Sequence, residues 1–322
     1  MNIIIIFLIF CIVLFFYLHI YFHLKTNNEL EIYKIPQPTK KQFEEICDLR
    51  QPVLFEYNDG SHKLEQECNM ENIYKNYSGF DVKIRNLNKD NNANKDANNK
   101  DDDNNKDDAN NKDDANNKDD DTNKDDMYSI ITYKKAKELI DKDKNSNYLF
   151  ENNSDFLEET ELIKMYKLND KFLKPYMNLS CDYDILFASK DTKTPFRYEM
   201  NYRNYFLVTE GEIQVMLAPP KNTKYLHMEQ DYKNMEFRSP VNPWNVQEQY
   251  ESDFSKIKCL DTTVKKGQIL YVPAFWWYSI KFGENTTVCS FKYRTYMNTL
   301  AISDKLISRF LLLHNIKCSI LQ

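Results

Sequence analysis

The chain has 322 residues, a formal net charge of −6 and 42% hydrophobic residues, 14% of the whole being aromatic, which is enough for one or two domains with a substantial core. No basic patch points to nucleic acid, and neither a glycine-rich phosphate loop nor a Ser-His-Asp signature is present. The abundance of Asn, Lys, Ile, Tyr and Phe reads as AT-rich coding bias, so runs of Asn or Lys carry less meaning than usual.

Residues 1–25, MNIIIIFLIFCIVLFFYLHIYFHLK, hold about twenty apolar or aromatic positions, interrupted only by His19 and His23, and are long enough to cross a bilayer. The basic start, short apolar core and small-residue cleavage site of a signal peptide are missing, so a retained transmembrane helix is expected. Phe15, Phe16, Tyr17, Tyr21 and Phe22 suit an interfacial aromatic belt. The expected location is a single membrane pass in the endomembrane or secretory pathway. Orientation stays open: Lys25, Lys34, Lys40 and Lys41 favour a cytosolic C-terminal domain, whereas Asn76, Asn152, Asn178 and Asn285 head triplets that accept glycans only in a lumen.

Thr39 caps a short helix through Ile46, and Arg50–Phe55 and Gly79–Arg85 read as strands, the second with alternating apolar residues. Residues 86–126 then repeat a hexad, NNKDDD, NNKDDA, NNKDDA, NNKDDD, ending in TNKDD. Seven lysines against fourteen aspartates give this insert a charge of −7, so the acidity of the chain belongs to it and the remainder sums to +1. It carries nothing to bury and is expected to be a disordered loop expansion inside the domain. Calcium binding is weakened as a reading because the glycine turn and bidentate Glu of tight calcium loops are absent.

Tyr133–Ile140 reads as a helix, Asn147–Phe150 as a strand, and Tyr183–Ala188 as a strand leading into the two most informative stretches. The first is Thr194–Pro220, TPFRYEMNYRNYFLVTEGEIQVMLAPP, whose Thr209-Glu210-Gly211-Glu212 is expected to join two strands as a tight hairpin turn. The second is Lys266–Ile280, KGQILYVPAFWWYSI, an apolar strand stopped by Pro273 and followed by the aromatic cluster Trp276-Trp277-Tyr278.

These two stretches resemble the signature segments of the JmjC and cupin-like 2-oxoglutarate oxygenases, the asparaginyl-hydroxylase-like branch in particular, and the resemblance extends over about residues 33–296. It implies a mainly β fold with flanking helices, a double-stranded β-helix of the jelly-roll kind, over 30–322. It also implies iron held by two histidines and one carboxylate. The matching positions here are Arg197, Glu199 and Tyr278, and the family's lysine for the far carboxylate of 2-oxoglutarate falls on Ile213. Glu is an acceptable ligand. Arg stays protonated and repels a divalent cation, and Tyr binds iron only as a phenolate, against an ordinary pKa of about 10. Asn204 matches the family's asparagine with one residue of difference in spacing, its simplest role being a structural hydrogen bond; Trp276 and Trp277 are placed with it near the pocket. Since residues two apart on a strand share a face, Arg197 and Glu199 are expected to point inward together, with Tyr278 near, as a self-satisfying cluster where metal would sit.

Between the two stretches, residues 221–261 are polar and include His227, Pro240, Pro243 and Trp244, a loop region read either as a packed connection or as a peptide-binding lip. Residues 298–322 carry an apolar stripe at helical spacing, which covers the barrel or forms a homodimer contact. Outside the anchor only His62, His227 and His314 occur, without ligand spacing, and the seven cysteines show no CxxC. The expectation is therefore a membrane-anchored pseudo-oxygenase that binds or scaffolds a protein partner, with no metal and no cofactor. Two alternatives stay open: a divergent Fe(II)/2-oxoglutarate hydroxylase or demethylase, and a small-carboxylate receptor using Arg197.

Overall fold

The structure, a computed structural model, describes residues 2–57, 63–87 and 128–320. Segments rich in Val, Ile, Tyr and Phe form two sheets. The nine-stranded sheet runs, in spatial order, β1 (Tyr33–Ile35), β2 (Val53–Glu56), β13 (Gln268–Pro273), β8 (Arg203–Glu210), β15 (Thr287–Thr295), β6 (Asn178–Ala188), β5 (Tyr148–Phe150), β3 (Asp81–Asn86) and β4 (Tyr128–Thr132). The six-stranded sheet runs β10 (Glu229–Asp231), β11 (Glu236–Ser239), β7 (Phe196–Tyr198), β14 (Trp277–Phe282), β9 (Glu212–Ala218) and β12 (Leu260–Lys265).

The central strands β8 and β13 of the larger sheet are apolar on both faces, because both are covered. Phe206, Val208, Leu270 and Val288 point toward the smaller sheet and meet Ile213, Val215, Leu217, Ile280 and Phe282 in one core. Tyr205, Leu207, Tyr271, Cys289 and Phe291 point the other way, into a second core closed by helices. One of these, Lys40–Asp48, starts at Thr39, whose side chain caps Gln42 while Gln42 reaches back to the Thr39 amide, and it buries Phe43 and Cys47. Helices Tyr133–Lys142 and Ile163–Asn169 contribute Tyr133, Ala136 and Tyr166 to the same core.

The turn at Gly211 differs from the hairpin expected of it. β8 pairs with β13 and β15, whereas β9 pairs with β12 and β14, so the chain leaves one sheet and enters the other across a single residue. Gly211 has φ +71°, and a Cβ there would lie 2.4 Å from Thr286 Oγ1, so this corner tolerates only glycine. A tight glycine turn between two apolar strands reads identically whether the strands pair or part, which is why the pattern suggested a hairpin.

β3 and β4 are antiparallel neighbours, with Arg85 opposite Tyr128. β3 continues through Asn86, and the repeat insert assigned to 86–126 otherwise lies outside the described residues apart from Leu87. Asn2–Leu24 is a single helix whose apolar side chains are exposed through Leu18, and its segment Ile3–Leu24 is long and apolar enough to cross a membrane, with mean hydropathy 3.1.

Candidate functional site

Strand parity decides what faces the space between the sheets. On β14, Ile280 and Phe282 point there, so Tyr278 does too; Arg197 is its cross-strand partner on β7 and shares its face. On β15, Val288 points inward and Lys292 follows at the same parity. Leu149 points inward, which sets Glu151 to do the same, and Val82 and Ile84 face the helices, which turns Arg85 inward. A set of charged groups is thereby imposed on an apolar core.

They pair off. Arg197 is buried, and its guanidinium meets Glu151 Oε2 at 2.6 Å and Glu236 Oε1 at 3.5 Å. Arg85, fully buried, contacts the same two carboxylates at 3.0 Å each. Tyr128 donates its hydroxyl to Glu151 at 3.1 Å. Two guanidiniums and two carboxylates thus form a lattice joining β3, the end of β5, β7 and β11. Beside it, Glu199 accepts from Lys292 Nζ at 2.8 Å and from the Tyr278 hydroxyl at 3.1 Å.

The titration behaviour follows from this pairing. Burial alone would raise the Glu151 pKa, but Arg197 and Arg85 hold it down at about 2. Burial likewise opposes the charge on Glu199, and Lys292 and then Arg197 overcome it, keeping the pKa below the ordinary value. Burial, and after it the Glu199 charge, push the Tyr278 phenol above its ordinary range, further from a phenolate. Asp184 is a contrasting case: burial raises it to about 7, although the backbone N–H groups of Asn152 and Asn153 donate to it at 2.7 and 2.8 Å.

The structure places Arg197, Glu199 and Tyr278 side by side, with Arg197 buried. The pairing differs in one respect: the carboxylate partners of Arg197 are Glu151 and Glu236, while Glu199 is matched by Lys292. Ile213 is fully buried in the inter-sheet core. Asn204 is buried, and its amide donates to the carbonyl of Val272 at 3.2 Å, tying β8 to β13. Trp276, just before β14, and Trp277, its first residue, are fully buried in different clusters and donate to Arg50 O at 3.1 Å and Thr223 Oγ1 at 2.8 Å. Trp244, half-buried, donates to Ser279 Oγ at 2.8 Å and packs its loop onto β14. Glu151, Glu236, Arg85 and Lys292 are the site residues that sequence reasoning missed. Elsewhere, a cavity of about 770 Å³ lies between Pro38, Lys40, Phe55, Glu56, Leu168 and Phe172, away from these groups.

A family model described as the cupin-like domain matches residues 39–297, most of the chain and both sheets. The chain belongs to the cupin-like family. The cupin-like domain is also similar to the lysine-specific demethylase JMJ32 of Arabidopsis thaliana, 27% identical over 157 residues, which is 35% of this chain and 45% of that protein. The match thus spans about half the length of this curated relative.

The residues at the expected metal positions of this cupin-like domain do not fit a divalent ion. Arg197 places a permanent cation where a neutral donor is needed, Tyr278 is held protonated, and Glu199 already neutralises an ammonium. Among the described residues no group of three or more His, Cys, Asp and Glu side chains is placed to hold a metal.

Proposed function

We propose that this chain is a membrane-anchored cupin-like protein in which a buried ion-pair lattice stands in place of the metal centre, and that it acts as a binding or scaffolding module for a protein partner. The observation that carries the reading is Arg197, buried between the two sheets and ion-paired to Glu151 and Glu236. Successive strands alternate between the two sheets, as β7, β8 and β9 do and again β12 to β15, which supports reading the domain as a double-stranded β-helix over 30–322. The Asn2–Leu24 helix supports the anchor, and its C-terminal end is built into the domain: the His23 ring lies 5.1 Å from that of Tyr202, and His23 Nε2 lies 3.3 Å from Thr295 Oγ1. A cleaved segment would not need such contacts. No cofactor belongs to this reading. A homodimer through the helix Ser303–Ile320 is part of it, since Ile307 and Phe310–Leu313 are exposed there.

A second reading, a divergent Fe(II)/2-oxoglutarate hydroxylase or demethylase, draws on the likeness to the Arabidopsis demethylase. A carboxylate receptor has less support, because the charge of Arg197 is already met by two protein carboxylates. Iron and manganese content and 2-oxoglutarate binding of the detergent-solubilised chain separate the readings. We expect metal far below one equivalent and no 2-oxoglutarate binding. An Arg197→His/Tyr278→His double variant, measured alongside, shows whether the scaffold still accepts metal once imidazoles are restored. Iron near one equivalent in the wild type overturns the proposal and directs work to oxygenase assays.

A further inference from the structure

One group of exposed apolar residues of the cupin-like domain gathers beside the N-terminal helix. Tyr176, Met177 and Leu179 are 75, 69 and 46% exposed at the start of β6, and Tyr296 and Leu300 are 54 and 38% exposed on the short helix Tyr296–Ala301 that follows β15. These segments touch: the Tyr296 amide donates to Met177 O at 3.3 Å, and Thr295 is the register partner of Asn178. Tyr296 and Leu300, four residues apart, share a helix face. The result is a contiguous rim of aromatic and aliphatic side chains.

The N-terminal helix packs against this same short helix. His23 is buried between Thr295 and Tyr202, and the guanidinium of Arg50 stacks over the rings of both Phe22, at 5.0 Å, and Tyr202, at 4.6 Å. The chain beyond is pinned as well, Asn27 Nδ2 donating to Leu49 O at 2.9 Å and the Lys221 amide to Asn28 Oδ1 at 2.8 Å. The anchor is therefore a rigid post, not a tethered one.

Length fixes the depth. Ile3–Leu24 is 22 residues, about 33 Å at 1.5 Å per residue, against an apolar bilayer core of about 30 Å. Nearly the whole helix is needed to span, yet its last turns, from His19 on, are already docked on the domain. The surface surrounding those turns must then lie at the level of the headgroups, where Tyr side chains are favoured.

Building on the membrane-anchored reading, we infer that the rim formed by Tyr176, Met177, Leu179, Tyr296 and Leu300 rests in the interfacial layer of the bilayer that the N-terminal helix enters, holding the cupin-like domain flat against the membrane in one orientation. Its occupant is lipid, argued from its continuity with the anchor. Ile130 is the matched control: it is 68% exposed on β4, beyond β5, which pairs with Phe187 and Ala188 at the end of β6 opposite the rim.

The test uses the full chain in vesicles of phosphatidylcholine with or without brominated acyl chains, and single variants Tyr296→Trp, Leu179→Trp, Ile130→Trp and Tyr17→Trp, with the wild-type emission subtracted. Thermal unfolding confirms that each variant folds. We expect blue-shifted emission, quenched about two-fold by brominated lipid, at 296 and 179 as well as at 17, and solvent-like, unquenched emission at 130. Quenching at 17 with solvent-like emission at 296 and 179 overturns the rim and leaves the anchor standing. Absence of quenching at 17 overturns the anchor reading and the rim with it. Blue-shifted but unquenched emission at 296 in a chain that cross-links to a second copy assigns the rim to self-association and overturns the lipid assignment.

Discussion

At the scale of single residues, the lattice of Arg85, Glu151, Arg197 and Glu236 sets the chemistry. Burial opposes the charges of Glu151 and Arg197, and their ion-pair partners sustain them. Removing one leaves an opposite charge buried without compensation, so Glu151→Gln is expected to destabilise the domain by about 3–5 kcal/mol at neutral pH, read from urea unfolding. The same pair makes a pH prediction. Glu151 has an ordinary pKa of 4.5 and is held at about 2 in the folded protein, so its contribution is fully present above pH 4.5 and disappears as pH falls toward 2. The stability difference between wild type and Glu151→Gln should shrink across that interval and remain constant above it; a difference independent of pH from 2 to 7 would contradict the assignment. Arg197, Glu199 and Tyr278 were legible in the sequence because they sit inside two short motifs whose strand period fixes their face. Their partners were not, because Glu151 and Glu236 come from segments 46 residues before and 39 residues after Arg197, and no local spacing links them.

At the scale of elements, the helices beginning near Thr39 and Tyr133 announced themselves through a cap or periodicity and the strand Asp81–Asn86 through alternation, whereas Met70–Tyr77 and the strand Thr287–Thr295 did not. Pairing was less readable. Gly211 serves a corner between sheets, locked by Thr286, whose hydroxyl accepts from the Glu212 amide at 3.3 Å and donates to its carbonyl at 3.0 Å. Gly211→Ala puts a Cβ into that hydroxyl at an unfavourable φ and is expected to cost about 3 kcal/mol, whereas Gly79→Ala meets nothing within 4 Å and should be near neutral. Equal stability of the two variants would mean that the corner is not under this constraint. The polar region 221–261 shows the same limit: from it β10 and β11 extend the smaller sheet, and Glu236 at the start of β11 turns into the core.

At the scale of the whole molecule, the insert and the lattice have different consequences. Because β3 and β4 pair as antiparallel neighbours, the chain on either side of residues 88–127 is already held together. Replacing those 40 residues with a four-residue turn lowers the loop-closure entropy by about 2 kcal/mol, so the shortened chain should melt at the same temperature or higher; failure to fold would show that the insert is part of the domain. The lattice, in turn, spans both sheets, since Arg85 and Glu151 belong to the nine-stranded side and Arg197 and Glu236 to the six-stranded side. Its four charges cancel as a set, and that makes change at this site directional. A histidine arriving alone at position 197 strands a carboxylate in the core before it can attract any metal. A change toward metal ligands here has to replace both members of an ion pair together, since each single replacement costs stability on its own.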